Sequence, residues 1–185
     1  MLKCLVCGMI INEKNYNINS YAFSHKNESE NILYCPFCGV GKIYLKDNGQ
    51  VYKIESKDLD IKTLKILDNA MKLETFNGDF YMEISELAKD EKLKNMFIDL
   101  SKIEYMHARI HRNLGGFKDS PKLNKLSYDK YDNDAALLEA AKRREEHAVA
   151  FYKKFYNDIC NEKIKSVFDG LIKVEKEHID LTSIK

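Results

Sequence analysis

From Asp58 onward the apolar positions recur at alternating steps of three and four, and Gly and Pro almost vanish. Upstream the chain alternates over short runs broken by Gly8, Gly39, Gly41 and Gly49. The first texture predicts amphipathic helices, and the second predicts a small turn-rich β-type module. Four helices are expected, over residues 59–88, 91–114, 134–157 and 162–183. Gly115-Gly116 stops the second helix, and the Asp/Asn cluster at 132–134 caps the third. The polar 115–133 connection, carrying Pro121, is long for a helix–helix loop and is expected to run the length of a bundle. The predicted fold class is mainly α, a four-helix bundle at 58–185 behind a module at 1–55.

The inward seams contain charge. Leu64, Leu67, Met71, Glu74, Gly78 and Tyr81 line one face of the first helix, and Leu93, Phe97, Leu100, Glu104, His107, His111 and Leu114 line the second. The third seam reads Leu138, Ala141, Glu145, Ala148, Tyr152, Phe155 and Ile159, and the fourth Ile164, Phe168, Leu171, Glu175, His178 and Thr182. The pattern Glu74, Glu104-x-x-His107 thus recurs as Glu145, Glu175-x-x-His178, offset by 71 residues. Phe80-Tyr81 and Phe151-Tyr152 repeat in the same register, as do Phe97 and Phe168.

Four buried carboxylates cost too much unless they are protonated or metal-bound. Two divalent cations would balance their charge. A three-residue spacing puts Glu and His on one helix face, and four carboxylates with two imidazoles are the ligand set of a dinuclear site in a bundle. Glu104 and Glu175 are expected to bridge, with Glu74 and Glu145 terminal and one His per metal. Such oxygen-rich ligation suits iron, or manganese. Tyr81 and Tyr152, two turns past the terminal acids, are either plain core aromatics or hydrogen-bond donors to a ligand carboxylate. His111 reads as a core histidine behind the ligands, while Glu146 and His147 fall on the solvated face. Gly78 opposes helix propensity beside the site and is expected to leave room for a small molecule.

The module carries Cys4-x-x-Cys7-Gly8 and Cys35-Pro36-Phe37-Cys38-Gly39. Paired CxxC motifs signal a tetrathiolate site, holding either one iron or one zinc. Cys160 stands apart as a structural thiol, and His25 lacks a partner at metal spacing. Four of five cysteines in CxxC pairs point to a reducing cytoplasm rather than to disulfides. The 30 basic and 29 acidic residues leave a net charge of +1 and no basic, aromatic-studded run, which argues against nucleic acid. No apolar run approaches the roughly 18–20 residues that span a bilayer.

With its CxxCG and CPxCG knuckles and both Glu…ExxH halves, the chain resembles the rubrerythrins, with the rubredoxin-like module first as in reverse rubrerythrins. That resemblance implies a ferritin-like bundle whose di-iron ligands are Glu74, Glu104, His107, Glu145, Glu175 and His178, and a metal held by Cys4, Cys7, Cys35 and Cys38. It implies an oxidoreductase that reduces hydrogen peroxide, or dioxygen, to water in defence against oxidative stress. Electrons would pass from an external NAD(P)H-linked reductase through the Cys4 iron, usually across a homodimer interface. Two features depart from the family. Ala148 stands where rubrerythrins carry an additional Glu, and 27 residues separate the knuckles. The alternative is a non-catalytic iron-binding or redox-sensing protein with a structural zinc ribbon, or a ferroxidase.

Overall fold

A computed structural model describes residues 1–124 and 126–183. Lys125 in the predicted connection, and residues 184 and 185 at the end of the predicted bundle, lie outside the described residues. Among the described residues four α-helices form: α1 Ile61–Leu87, α2 Glu91–Gly115, α3 Asp134–Phe155 and α4 Glu162–Thr182. Each starts on a short polar side chain that accepts from a free N–H of the first turn: Asp60 from Thr63, Asp90 from Leu93, Asn133 from Ala136 and Asn161 from Ile164. Gly116, at φ 66°, closes α2 in the left-handed conformation that a side chain resists. α3 is shorter than the pattern predicts. It ends at Phe155 and a 3₁₀ turn follows over Tyr156–Asp158, so Ile159 is buried from a turn rather than from a helical seam.

α1 and α2 form one antiparallel hairpin, and α3 and α4 the other. The 115–133 connection joins opposite ends. Gly116 lies against Ser56 near the start of α1, while Asp134 accepts from the backbone N–H groups of Lys89 and Asp90 at the α1–α2 turn. Phe80, Tyr81, Phe97, Tyr152 and Phe168 are fully buried between the hairpins. Burying each such side chain contributes roughly 1.5–3 kcal/mol, which offsets the cost of carboxylates in the same core.

Before the bundle, β1 Leu2–Cys4 is the centre of a three-stranded antiparallel sheet, with β2 Ile10–Ile11 and β3 Leu45–Asp47 on either side. Leu2 faces Ile11 across one pairing and Asp47 across the other, and Cys4 faces Leu45. The remainder of this segment is mostly turns. Its buried residues are continuous with those of the bundle. Tyr44 donates to the carbonyl of Ser166 on α4, and the Tyr21 N–H donates to Asp99 on α2. No helix of the described residues is long and apolar enough to cross a membrane.

Candidate metal centres

Every helix contributes to the bundle site: Glu74 from α1, Glu104 and His107 from α2, Glu145 from α3, Glu175 and His178 from α4. All six are fully buried. Donor atoms of Glu74, Glu104, His107 and Glu175 lie within 4.8 Å of one another, as do those of Glu104, Glu145, Glu175 and His178. Glu104 and Glu175 belong to both groups, the position a bridging pair would take. His107 Nδ1 lies 3.0 Å from Glu175 Oε1 and 3.5 Å from Glu104 Oε2. On the other side His178 Nδ1 lies 3.1 Å from Glu175 Oε2 and 3.3 Å from Glu104 Oε1.

Both oxygens of Glu104, one each of Glu145 and Glu175, and Nδ1 of His107 are buried without a hydrogen-bond partner among the described residues. Buried polar atoms are normally paired, so a cluster of unpaired donor atoms aimed at one volume fits two cations. Without metal, protons must do that work. Burial, then the charges of Glu104 and Glu175, push the Glu74 and Glu145 carboxyls far up. Burial would also raise Glu175, but contact with His107 and His178 holds it low. Against the pull of burial, Glu104 and Glu175 raise His178 to about 10 and His107 well above its usual value. Two neutral acids and two imidazolium–carboxylate pairs make a neutral core, as two divalent cations on four carboxylates would.

The outer carboxylates are held crosswise. Tyr81 on α1 donates to Glu145 on α3, and Tyr152 on α3 donates to Glu74 on α1. Each tyrosine ring packs on the phenylalanine of its own hairpin partner, Phe97 or Phe168. His111 lies behind Tyr152, Nε2 to hydroxyl oxygen 2.7 Å. Because that hydroxyl donates to Glu74, His111 carries its proton on Nε2. Burial pushes its pKa down to about 3, so the ring is neutral. Asn77, one turn past Glu74, donates to Glu74 Oε2 at 3.4 Å. Its counterpart in the repeat is Ala148, fully buried, so the two halves differ here. Glu146 and His147 are exposed. The room expected beside Gly78 is filled: a Cβ there would meet the Tyr105 ring at 2.7 Å, and Ser101 donates to the Gly78 carbonyl. That glycine permits close approach of α1 and α2.

Cys4 Sγ lies 3.7 Å from Cys38 Sγ, and Cys7 Sγ 3.6 Å from Cys35 Sγ. A tetrahedron with metal–sulfur bonds of about 2.3 Å has edges of about 3.8 Å, so the four thiols are pre-set for one ion. In each knuckle the glycine after the second cysteine takes positive φ, 80° at Gly8 and 76° at Gly39. Its N–H returns to the first cysteine's carbonyl at 3.0 Å and 2.8 Å. Neighbouring thiols hold Cys4 low, whereas burial pushes Cys35 and Cys38 up, so a cation is what would let those two buried thiols ionise. Cys160 is exposed and unpaired with any other cysteine.

The second knuckle is wedged between α2 and α4. A Cβ on Gly39 would strike Val174, the neighbour of Glu175, at 2.6 Å. His107 Nε2 lies 2.9 Å from the carbonyl oxygen of Cys38. Donation there leaves Nδ1 free to face the carboxylates, so a single imidazole touches both candidate centres.

The rubrerythrin family model matches residues 65–183, which hold all six bundle residues. The chain belongs to the rubrerythrin family. Among solved structures it is similar to one described as a ferritin-like diiron-carboxylate protein from Thermotoga maritima, with a TM-score of 0.54 and 22% identity. That likeness covers 66% of this chain and 92% of the other, and it shows the ferritin-like fold. No curated protein matches. The structure gathers the ligand residues that the spacing singled out, six in the bundle and four at the knuckles. Sequence reasoning missed Asn77 and the His107–Cys38 bond. Comparing the repeats one turn after each terminal acid would have found Asn77. The bond joins segments 69 residues apart through a backbone atom, and no spacing signals it.

Proposed function

We propose that the protein is a non-haem di-iron oxidoreductase that reduces hydrogen peroxide to water, with electrons relayed through an iron at the four cysteines. Dioxygen is the runner-up oxidant. The observation that carries the reading is the hydrogen bond from His107 to the Cys38 carbonyl. That bond would give electrons a short path from a cysteine-bound iron to a ligand of the bundle site. Glu104 and Glu175 would hold both metals, Glu74 with His107 the first, and Glu145 with His178 the second. When bound, ferrous ions supply Lewis acidity and the two electrons that, with two protons, convert one peroxide to two waters.

The chain's own residues do the rest. Tyr152 and Tyr81 fix the outer carboxylates, and His111 fixes Tyr152. Phe97 and Phe168 keep the chamber apolar around the donor atoms. The His107–Cys38 contact lies within one chain, so we infer a relay that does not need the homodimer interface used elsewhere in the family. An external NAD(P)H-linked reductase would supply electrons. Four of the five cysteines converge as a candidate metal site rather than pairing as disulfides, in keeping with a reducing cytoplasm.

A second reading, an iron-binding or sensing protein with zinc at the cysteines, draws on Ala148, which removes the family's additional carboxylate. Metal content per chain and peroxide consumption decide between them. Three irons and turnover support the peroxidase; one zinc at the cysteines without turnover supports the binder.

A further inference from the structure

A cavity of about 580 Å³ opens between α1, α3 and the 115–133 connection. Lys130, Arg143, Arg144 and His147 line it, and no carboxylate does among the described residues. Arg143 is paired along its helix with Glu139 at 3.4 Å. Arg144 is different. Its half-buried guanidinium stacks on Phe80 and Phe76 at 3.9 and 4.4 Å, and none of its N–H donors meets an acceptor among the described residues. A partly desolvated cation whose faces are covered and whose donors are free is a receptor for an anion. A planar fork takes a phosphate or carboxylate through two parallel bonds.

We propose that this cavity binds a small phosphate-bearing molecule. The phosphate would lie on Arg144, Lys130 and Arg143. An attached ring would lie against Phe76 and Tyr131, which form the apolar wall. The volume falls within the roughly 300–1,000 Å³ of small-molecule sites and exceeds what a bare phosphate fills. The site does not depend on the peroxidase reading, yet it adjoins the metal centre. Asn77 forms part of the cavity wall and donates to Glu74, and Arg144 precedes Glu145 in the chain. Occupancy therefore reaches both outer carboxylates through one residue each.

Calorimetric titration of the metal-loaded chain at constant ionic strength, first with inorganic phosphate and then with ADP, tests this. Saturable binding of one ADP per chain is expected, at least tenfold tighter than phosphate. The exposed pair Lys130→Ser and Arg143→Ser should weaken ADP about tenfold or more without disturbing the stacked Arg144. Arg144→Lys, which keeps the charge and loses the fork, should weaken it severalfold. Equal affinity for phosphate and ADP would overturn the ester assignment in favour of a bare oxyanion site. No saturable heat with either probe, or ADP binding indifferent to all three substitutions, would overturn the site itself.

Discussion

Tyr81 and Tyr152 hold carboxylates of the opposite hairpin, so each hydroxyl ties the two halves of the repeat together at the metal centre. Partners behind the ligands typically contribute 10–100-fold to metal affinity. Tyr152→Phe is therefore expected to lower affinity at the Glu74 side by about tenfold or more, read by competition with a coloured chelator. His111→Phe acts only through Tyr152 and should cost less than Tyr152→Phe in the same assay. A second residue-scale test concerns Gly39, where a side chain meets both positive φ and Val174. Gly39→Ala should destabilise the fold by at least about 1–2 kcal/mol in denaturant melts. Adding Val174→Ala should recover the clash but not the backbone strain. At this scale the sequence was highly informative about identity and poor about partners. Helical spacing fixes which side chains face inward, so Glu74 and its five companions stand out. Which carboxylate a tyrosine reaches depends on how two hairpins dock, and no local pattern encodes that.

The helices carry a linked pair of predictions. In the metal-free bundle His178 has a pKa of about 10 against an ordinary 6.5. A raised histidine contributes stability that is complete below pH 6.5 and is lost as pH rises through 10. Glu74 and Glu145, also raised, lose their contribution in the same direction above an ordinary 4.5. The apo protein should therefore melt at steadily lower temperature from pH 6.5 to 10, and metal loading should flatten that slope. Neutralising the same core with two divalent cations displaces its protons, so metal uptake should release protons near neutral pH, measurable in a weakly buffered titration. Helix extents were legible from the three-and-four apolar period, with the Asp/Asn cluster at 132–134 marking the start of α3 and Gly115-Gly116 the end of α2, whereas the caps Asp60, Asp90 and Asn161 came only with the structure. The end of α3 was missed because no Gly or Pro marks Phe155, and the apolar period runs on to Ile159.

Across the whole molecule, one buried core runs from β1 to α4, and the second knuckle is wedged between α2 and α4. Loss of the thiolate metal should therefore be felt in the bundle. Cys35→Ser with Cys38→Ser is expected to lower the single melting transition seen by calorimetry rather than to remove a separate first transition. The mainly α architecture and the crossing connection could be read from periodicity and loop length. The packing of the β-type segment could not, because Tyr44 and Ser166, or Cys38 and His107, meet only in three dimensions. The central claim is that one chain contains both the oxidant site and its electron relay. Stopped-flow mixing of the fully reduced, iron-loaded protein with peroxide tests it most directly. The account predicts that the ferric-thiolate colour of the cysteine site appears as peroxide is consumed, with a rate constant unchanged by tenfold dilution of the protein. Peroxide consumption without that colour, or a rate that falls in proportion to protein concentration, would contradict it.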